Sequence, residues 1–249
     1  MGSNWHRRCP RPAPDSMTEI VEQELRLALS PRLGEVSAVV CRPPDARFFL
    51  VLGHGAGAGM RHHFLEALSG ALYAVGVATL RYEFPYMERG HRRPDAAPAL
   101  QATVRAAVNA AGLLAGGLPL FAGGKSMGGR MTSQAQAERS LHGVCGLVFF
   151  GFPLHPAGDP GQERADHLAR VYLPMLFHQG TRDRLANLDL LRPALAPLGT
   201  RVTLAIMDQA DHDFALPRRL GVGQEEVCLQ LAERTARWMA EVAANLLTG

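Results

Sequence analysis

The chain has 249 residues, which suits one domain with a full hydrophobic core and is short for two. Hydrophobic residues make up 47% and charged residues 20%, so the composition excludes a disordered, collagen-like or coiled-coil chain. The net charge of +3 gives no basic footprint for nucleic acid, and no apolar stretch reaches the roughly 20 residues of a membrane-spanning helix. We therefore expect neither nucleic acid nor a membrane as a partner.

The first residues differ in composition from the rest. Residues 1–16 contain three prolines and little that could be buried, so we expect a flexible extension followed by a single domain over 17–249. The four cysteines are too widely spaced for a zinc site or a dense disulfide framework. Together with a start that lacks the apolar stretch of a secretory signal, this predicts a cytoplasmic protein with reduced thiols. No metal or organic cofactor is implied, and the oligomeric state is not predicted.

From about residue 24 onward, eight apolar runs of strand length follow one another along the chain. They are Leu25–Leu29, Ser37–Cys41, Phe48–Leu52, Val75–Leu80, Leu118–Ala122, Val144–Phe150, Met175–His178 and Val202–Met207. Several are apolar almost throughout, as is typical of parallel strands covered on both faces. The first two, joined by residues 31–34, are predicted to form an antiparallel hairpin at the edge of the sheet.

Segments with helical periodicity fill the gaps between these runs. Apolar residues recur every three or four positions in 64–72, 100–108, 127–135 and 227–242. Alternation of strands and helices predicts an α/β fold, with a mostly parallel, twisted sheet of about eight strands and helices on both faces.

The most informative segment follows the fifth predicted strand. There Gly124-Lys-Ser-Met-Gly128 leads from a strand into a helical stretch, which is the G-x-S-x-G pattern of a nucleophile elbow. The pattern places Ser126 at the apex of a tight turn, with the backbone N–H of Met127 beside its hydroxyl. A phosphate-binding loop is excluded, because that pattern requires glycine at position 119, which is Pro119.

A nucleophilic serine needs a base and a group that orients the base. His212 and Asp183 each lie just beyond a later predicted strand, and the order Ser126, Asp183, His212 is the order expected for this elbow. Carboxyl ends of parallel strands meet at one edge of a sheet, so we expect the three side chains to meet there. Asp189 is the alternative acid.

The third predicted strand runs into the small-residue segment Gly53–Gly59. Small residues let the backbone approach a substrate carbonyl closely. The N–H of Ala56, or that of Gly55, is therefore expected to form an oxyanion hole together with the N–H of Met127.

Lys125 is the only lysine in the chain, and every other basic residue except histidine is arginine. It directly precedes the predicted nucleophile. Its ammonium group could bind an anionic acyl group of a substrate, or it could pair with an acidic residue beneath the elbow. The sequence favours neither interpretation over the other.

Five segments together resemble the α/β-hydrolases. They are His54-Gly-Ala-Gly-Ala-Gly59, Arg81-Tyr-Glu-Phe-Pro-Tyr86, Gly124-Lys-Ser-Met-Gly-Gly-Arg130, Phe152-Pro-Leu-His155 and Ala210-Asp-His212. The resemblance covers about residues 24–246. It is strongest to the small, capless, dienelactone-hydrolase-like branch, which includes testis-expressed hydrolase-like proteins and a chromatin-complex subunit. Dienelactone hydrolases use cysteine where this chain has Ser126, so their substrate is not implied.

The resemblance implies a serine hydrolase that forms an acyl-enzyme intermediate on a small-molecule carboxylic ester, with thioester or amide substrates also open. The alternative is a non-catalytic interaction module with the same fold. Only 24 residues separate Phe150 from Met175, where caps are inserted in this superfamily, so no cap domain is expected. The site should be a shallow groove, and four aromatic residues are expected to wall it, namely Tyr82, Tyr86, Phe152 and Phe214.

Overall fold

A computed structural model describes residues 21–248, and it confirms the eight predicted strands. The strands are Glu22–Ala28 (β1), Glu35–Cys41 (β2), Phe48–Gly53 (β3), Val77–Tyr82 (β4), Leu120–Lys125 (β5), Val144–Phe150 (β6), Met175–Gly180 (β7) and Val202–Met207 (β8). Several extend further at their carboxyl ends than predicted, because the hydrogen-bonded ladder continues beyond the last apolar residue. The extension predicted for residues 1–16 lies outside the described residues, as do residues 17–20 and 249.

All eight strands form one sheet in the order β1-β2-β4-β3-β5-β6-β7-β8. β2 runs antiparallel to both of its neighbours, and every other neighbouring pair is parallel. The predicted edge hairpin is confirmed, and its turn is closed by the N–H of Leu29, which donates to the carbonyl of Gly34 at 3.0 Å. The sheet is therefore mostly parallel, with the carboxyl ends of its central strands at one edge.

Helices cover both faces of the sheet, as predicted. They are His63–Ala74 (α1), Pro85–Glu88 (α2), Ala97–Leu114 (α3), Met127–Glu138 (α4), Leu188–Leu195 (α5) and Gln224–Thr248 (α6). α1 and α6 pack together on one face, whereas α3 and α4 lie on the other. Within residues 21–248, no helix combines the length and the apolar character needed to cross a membrane.

The central strands are apolar throughout because they are buried on both faces. In β3, Phe49 and Val51 pack into the core beneath α3 and α4, whereas Phe48 and Leu50 pack beneath α1 and α6. Complete burial of such a side chain contributes about 1.5–3 kcal/mol. The two cores together hold the carboxyl ends of β3 to β7 in fixed relative positions.

The connection from β6 to β7 contains no cap domain. Its main element is a short 3₁₀ helix, Glu163–Arg170, that lies against α4. A buried hydrogen bond of 2.8 Å between Ser133 and His167 joins the two elements. The expectation of a fold without a lid is thus confirmed, and the carboxyl edge of the sheet stays open above Ser126.

Candidate active site

The turn between β5 and α4 brings Ser126 into a backbone conformation that non-glycine residues rarely adopt. Its φ is 50° and its ψ is −116°. Strain of this kind costs about 1–3 kcal/mol and persists only where the surrounding structure enforces it. Two hydrogen bonds fix the turn: the N–H of Ser126 donates to the carbonyl of Phe150, and the N–H of Arg130 donates to the carbonyl of Ser126, both at 3.1 Å.

The two glycines of the motif are required by the close approach of β3. A Cβ atom on Gly124 would lie 2.3 Å from the carbonyl oxygen of Gly53, and one on Gly128 would lie equally close to the same oxygen. Cβ atoms do not tolerate contacts this short with backbone, so only glycine fits both positions. The spacing of the motif therefore follows from the packing of the elbow against the end of β3.

The three side chains expected to act together meet at this edge of the sheet. The Oγ of Ser126 lies 2.9 Å from Nε2 of His212, and Nδ1 of His212 lies 2.8 Å from Oδ2 of Asp183. An ionised carboxylate only accepts hydrogen bonds, so Nδ1 carries the proton and Nε2 presents its lone pair to the serine hydroxyl. This is the tautomer that a general base requires.

Asp183 is held rigidly. Its side chain is fully buried, its Oδ1 accepts the N–H of Leu185 at 2.7 Å, and its Oδ2 accepts the amide of Gln179 as well as His212. The alternative acid, Asp189, lies exposed in the first turn of α5, where its N–H donates to the side chain of Asn187. Of the two candidates, only Asp183 contacts the histidine.

The turn after β3 lies directly beside Ser126. The N–H of Gly57 donates to the hydroxyl of Tyr86 at 2.9 Å, and the N–H of Ala58 donates to the carbonyl of Gly55 at 3.2 Å. The N–H of Ala56 has no such partner within the part of the chain that the structure describes. Ala56 lines the same groove as Ser126 and Met127, so the backbone there is available to a ligand.

The buried ring of His54 fixes the orientation of this turn. Its Nε2 accepts the N–H of Phe84 at 3.2 Å, so its Nδ1 carries a proton and donates it to the carbonyl of Gly55 at 2.7 Å. In a trans peptide the carbonyl and the following N–H point in opposite directions. Holding the carbonyl of Gly55 thus also fixes the N–H of Ala56.

Lys125 supports the loop that carries His212. Its ammonium group donates to the carbonyl of His212 at 2.7 Å and lies 3.4 Å from a carboxylate oxygen of Asp213. The residue is 6% exposed, and burial lowers the pKa of its side chain. Of the two interpretations open from the sequence, the geometry favours pairing with an acid, although that acid lies on the histidine loop and not beneath the elbow.

Two grooves meet at Ser126. The first, of about 390 Å³, is lined by Met127, Arg130 and Arg164 among others, and the second, of about 380 Å³, by Lys125 and His212 among others. Ala56, Leu185 and Ser126 line both grooves. Arg130 follows Ser126 by one turn of helix and could have been expected on the same side, whereas nothing in the sequence singles out Arg164.

The expectation that four aromatic residues wall the groove is wrong. Tyr82, Tyr86, Phe152 and Phe214 are each at most 2% exposed, and none of them lines either groove. Large rings at or near a strand end gain more from burial in the core than from forming an open wall. Phe214 stacks on Phe64, and Tyr86 contributes through its hydroxyl, which holds the turn described above.

A second serine–histidine pair lies behind the elbow, but its surroundings differ. The Oγ of Ser133 is 2.8 Å from Nε2 of His167 and also donates to the carbonyl of Arg130 at 2.9 Å. Burial, followed by the charge of Arg130, lowers the pKa of His167 to about 4. Among residues 21–248, no group of three or more histidine, cysteine and acidic side chains is arranged to hold a metal ion.

Comparisons with known proteins agree with this architecture. A family model described as an alpha/beta hydrolase domain matches residues 46–240. A dienelactone hydrolase from Anabaena variabilis superposes with a TM-score of 0.67 at 22% identity, covering 88% of this chain and 98% of that one. An α/β serine hydrolase without a lid from Xanthomonas campestris gives 0.66 at 21% identity, covering 87% and 94%.

A third similar structure is Est1E from Butyrivibrio proteoclasticus with bound ferulic acid, with a TM-score of 0.65 at 18% identity and coverage of 84% of this chain and 96% of that one. At these identities the structural matches establish the shared fold. They confirm the expected likeness to capless, dienelactone-hydrolase-like proteins at that level. The likeness to testis-expressed and chromatin-complex proteins stays a prediction.

Proposed function

Because the chain belongs to the alpha/beta hydrolase domain family, whose model spans residues 46–240, we propose that it is a serine hydrolase acting on a carboxylic ester. One observation carries the proposal: hydrogen bonds run without interruption from Asp183 through His212 to Ser126, and the serine borders two open grooves. A serine in this arrangement is activated as a nucleophile.

The reaction would proceed in two halves. Ser126 attacks the ester carbonyl while Nε2 of His212 takes the hydroxyl proton, and His212 then returns that proton to the oxygen of the leaving alcohol. Asp183 keeps the ring in the tautomer described above and stabilises the imidazolium that forms. In the second half, His212 takes a proton from the water that attacks the acyl carbonyl. It then gives that proton to Oγ of Ser126 as the acyl–oxygen bond breaks, which releases the carboxylic acid and regenerates the serine.

The tetrahedral oxyanion would be stabilised by backbone donors. We assign this role to the N–H groups of Met127 and Ala56, with Gly55 as the neighbouring alternative. The support is that Met127 and Ala56 line one groove with Ser126, and that the Gly55 carbonyl is tied to His54. Removing one such donor from a site of this kind costs about 10²–10³ in kcat.

The open edge of the sheet favours short, soluble esters, because a groove without a lid buries little of a long acyl chain. A series of p-nitrophenyl esters from acetate to palmitate tests this preference. We expect kcat/KM to peak among the short chains. A steady rise with chain length, or activation at a lipid interface, would contradict it.

Labelling with a fluorophosphonate tests the proposed function most directly, since the reagent reacts only with an activated serine. We expect the unaltered protein to be labelled and Ser126→Ala to remain unlabelled. Ser133→Ala is the matched control, because it removes a serine from the neighbouring serine–histidine pair, and it should label like the parent. An unlabelled parent protein would favour the non-catalytic interaction module instead.

We further propose that the enzyme works in the cytoplasm on a small-molecule substrate. The free thiols of Cys41, Cys145 and Cys228 support a reducing compartment. Cell fractionation with differential alkylation tests this assignment. Reduced thiols in the cytosolic fraction are expected, and recovery of the protein from an oxidising compartment would contradict the assignment.

A further inference from the structure

The two grooves at Ser126 can be assigned to the two halves of an ester. His212 must return its proton to the leaving alcohol, so the alcohol has to lie on the side of the histidine. His212 lines only the second groove, together with Lys125 and Asp213. The acyl half therefore occupies the first groove, which contains Met127 and extends along α4. We call the first groove the acyl groove and the second the alcohol groove.

The acyl groove carries two arginines without ionic partners. Arg130 and Arg164 both line it, and within residues 21–248 neither guanidinium group forms a hydrogen bond or an ion pair. The Nε of Arg130 is buried with no hydrogen-bond partner. The two arginines line the same groove, and burial, followed by repulsion from Arg164, lowers the pKa of Arg130. A buried guanidinium nitrogen without an acceptor, such as this Nε, is costly unless a ligand supplies the acceptor.

Negative charge on the protein does not neutralise this pair. Asp95 also lines the acyl groove and lies beyond 4.0 Å from both groove arginines. Its Oδ1 forms an ion pair with Arg89 at 2.7 Å, and its Oδ2 is buried without a hydrogen-bond partner. The alcohol groove differs in this respect, since Lys125 there is paired with Asp213. Unpaired positive charge is thus confined to the acyl side of Ser126.

We propose, on the basis of the hydrolase function above, that the substrate carries a carboxylate on its acyl half, bound by Arg130 and Arg164. The substrate class is then a monoester of a dicarboxylic acid. Arginine suits this role because its planar guanidinium group donates two parallel hydrogen bonds to a carboxylate. The anion would supply the acceptors that the two side chains lack and would orient the scissile carbonyl towards Ser126.

Two esters with matched six-carbon acyl chains test this inference, p-nitrophenyl hexanoate and mono-p-nitrophenyl adipate. After subtraction of the uncatalysed rates, we expect the unaltered enzyme to favour the adipate in kcat/KM by about tenfold to a hundredfold. Arg130→Gln and Arg164→Gln should each lower that preference by about tenfold, whereas Arg164→Lys should retain part of it. Arg237→Gln, which removes an exposed charge from α6 far from the grooves, should leave the preference unchanged.

The outcomes separate the two proposals. If hexanoate is cleaved and the adipate preference is absent, or is unaffected by both glutamine variants, the carboxylate subsite is overturned and the hydrolase function stands. If neither ester is cleaved and the fluorophosphonate does not label Ser126, the hydrolase function is overturned. Calorimetric titration with free adipate and hexanoate then decides the subsite, because equal affinities for the two acids would overturn it. Should Arg130→Gln fail to fold, the half-exposed Arg164 alone decides the result.

Discussion

Within residues 21–248, two serine–histidine pairs lie close together, with one serine at the N-cap of α4 and the other two turns further along that helix. The distance from Ser126 to His212 is 2.9 Å, and the distance from Ser133 to His167 is 2.8 Å, so bond length does not distinguish them. Their surroundings do. Ser126 borders two grooves and Asp183 binds the far nitrogen of its histidine, whereas Ser133 is fully buried and its hydroxyl donates to a backbone carbonyl.

The difference concerns the charge beside each histidine. Asp183 stabilises a protonated His212 and thereby favours proton transfer from serine. Burial, followed by the charges of Arg130 and Arg170, lowers the pKa of His167 and leaves that ring neutral. A close serine–histidine contact is therefore compatible with catalysis or with simple packing, and the third group decides which.

The largest difference is expected in hydrolysis itself. Ser126→Ala should lower kcat/KM for p-nitrophenyl butyrate by at least about 10⁴-fold, because the nucleophile is lost. Ser133→Ala should stay within about threefold of the parent. The melting temperature of Ser126→Ala should change little, since the elbow strain belongs to the backbone. Full activity in Ser126→Ala would overturn the assignment of the nucleophile.

Asp183→Asn should make the first pair resemble the second. The amide cannot stabilise the imidazolium and favours the wrong tautomer, so we expect kcat to fall by about 10⁴-fold. Asp189→Asn is the matched control, since Asp189 was the competing acid and lies exposed on α5. Steady-state kinetics give kcat for both variants, and Asp189→Asn should match the parent. A loss below tenfold in Asp183→Asn would mean that this carboxylate does not orient His212.

The next largest effect is expected on stability, when a glycine of the tightly packed elbow is replaced by alanine. Gly128→Ala places a methyl group 2.3 Å from the backbone of Gly53, and we expect the free energy of unfolding to fall by about 3 kcal/mol or more. Gly112→Ala on α3 meets nothing within 4 Å and should stabilise the protein by about 0.5–1 kcal/mol. Urea denaturation measures both. If Gly128→Ala were as stable as the parent, the backbone of the elbow would be able to move away from Gly53 at little cost.

The last effect is a gradual pH dependence of stability at the second pair, which is small at any one pH step. The pKa of His167 falls from 6.5 to about 4 in the folded protein, so below about pH 6.5 the unfolded chain binds a proton that the folded one does not. Stability should therefore decrease as the pH falls from about 6.5 to 4, by up to about 1.4 kcal/mol per unit from this group. Urea denaturation at several pH values in that window gives the free energy of unfolding as a function of pH. Its dependence on pH should be weaker for His167→Gln than for the parent. The same pH dependence in the variant and the parent would contradict a neutral, buried His167.

Much of the fold follows from local pattern. The apolar runs identified all eight strands, and the glycine spacing around Ser126 identified the elbow, because these signals reflect burial and backbone geometry within a few residues. The position of β4 between β2 and β3 was not predicted, since strand order depends on crossovers that leave no local pattern. The side-chain environment of the site was predicted least well. The direction of an aromatic ring after a strand end, or the absence of a partner for Arg164, depends on distant segments.

The single lysine of the chain has a practical consequence. Reagents that acylate amines find only one ε-amino group in these 249 residues, and that group is 6% exposed and bonded to the carbonyl of His212. Acylation at Lys125 therefore requires the histidine loop to move away first. The rate at which Lys125 itself is acylated, measured by peptide mass mapping so that the α-amino group is counted separately, would report how often that loop opens.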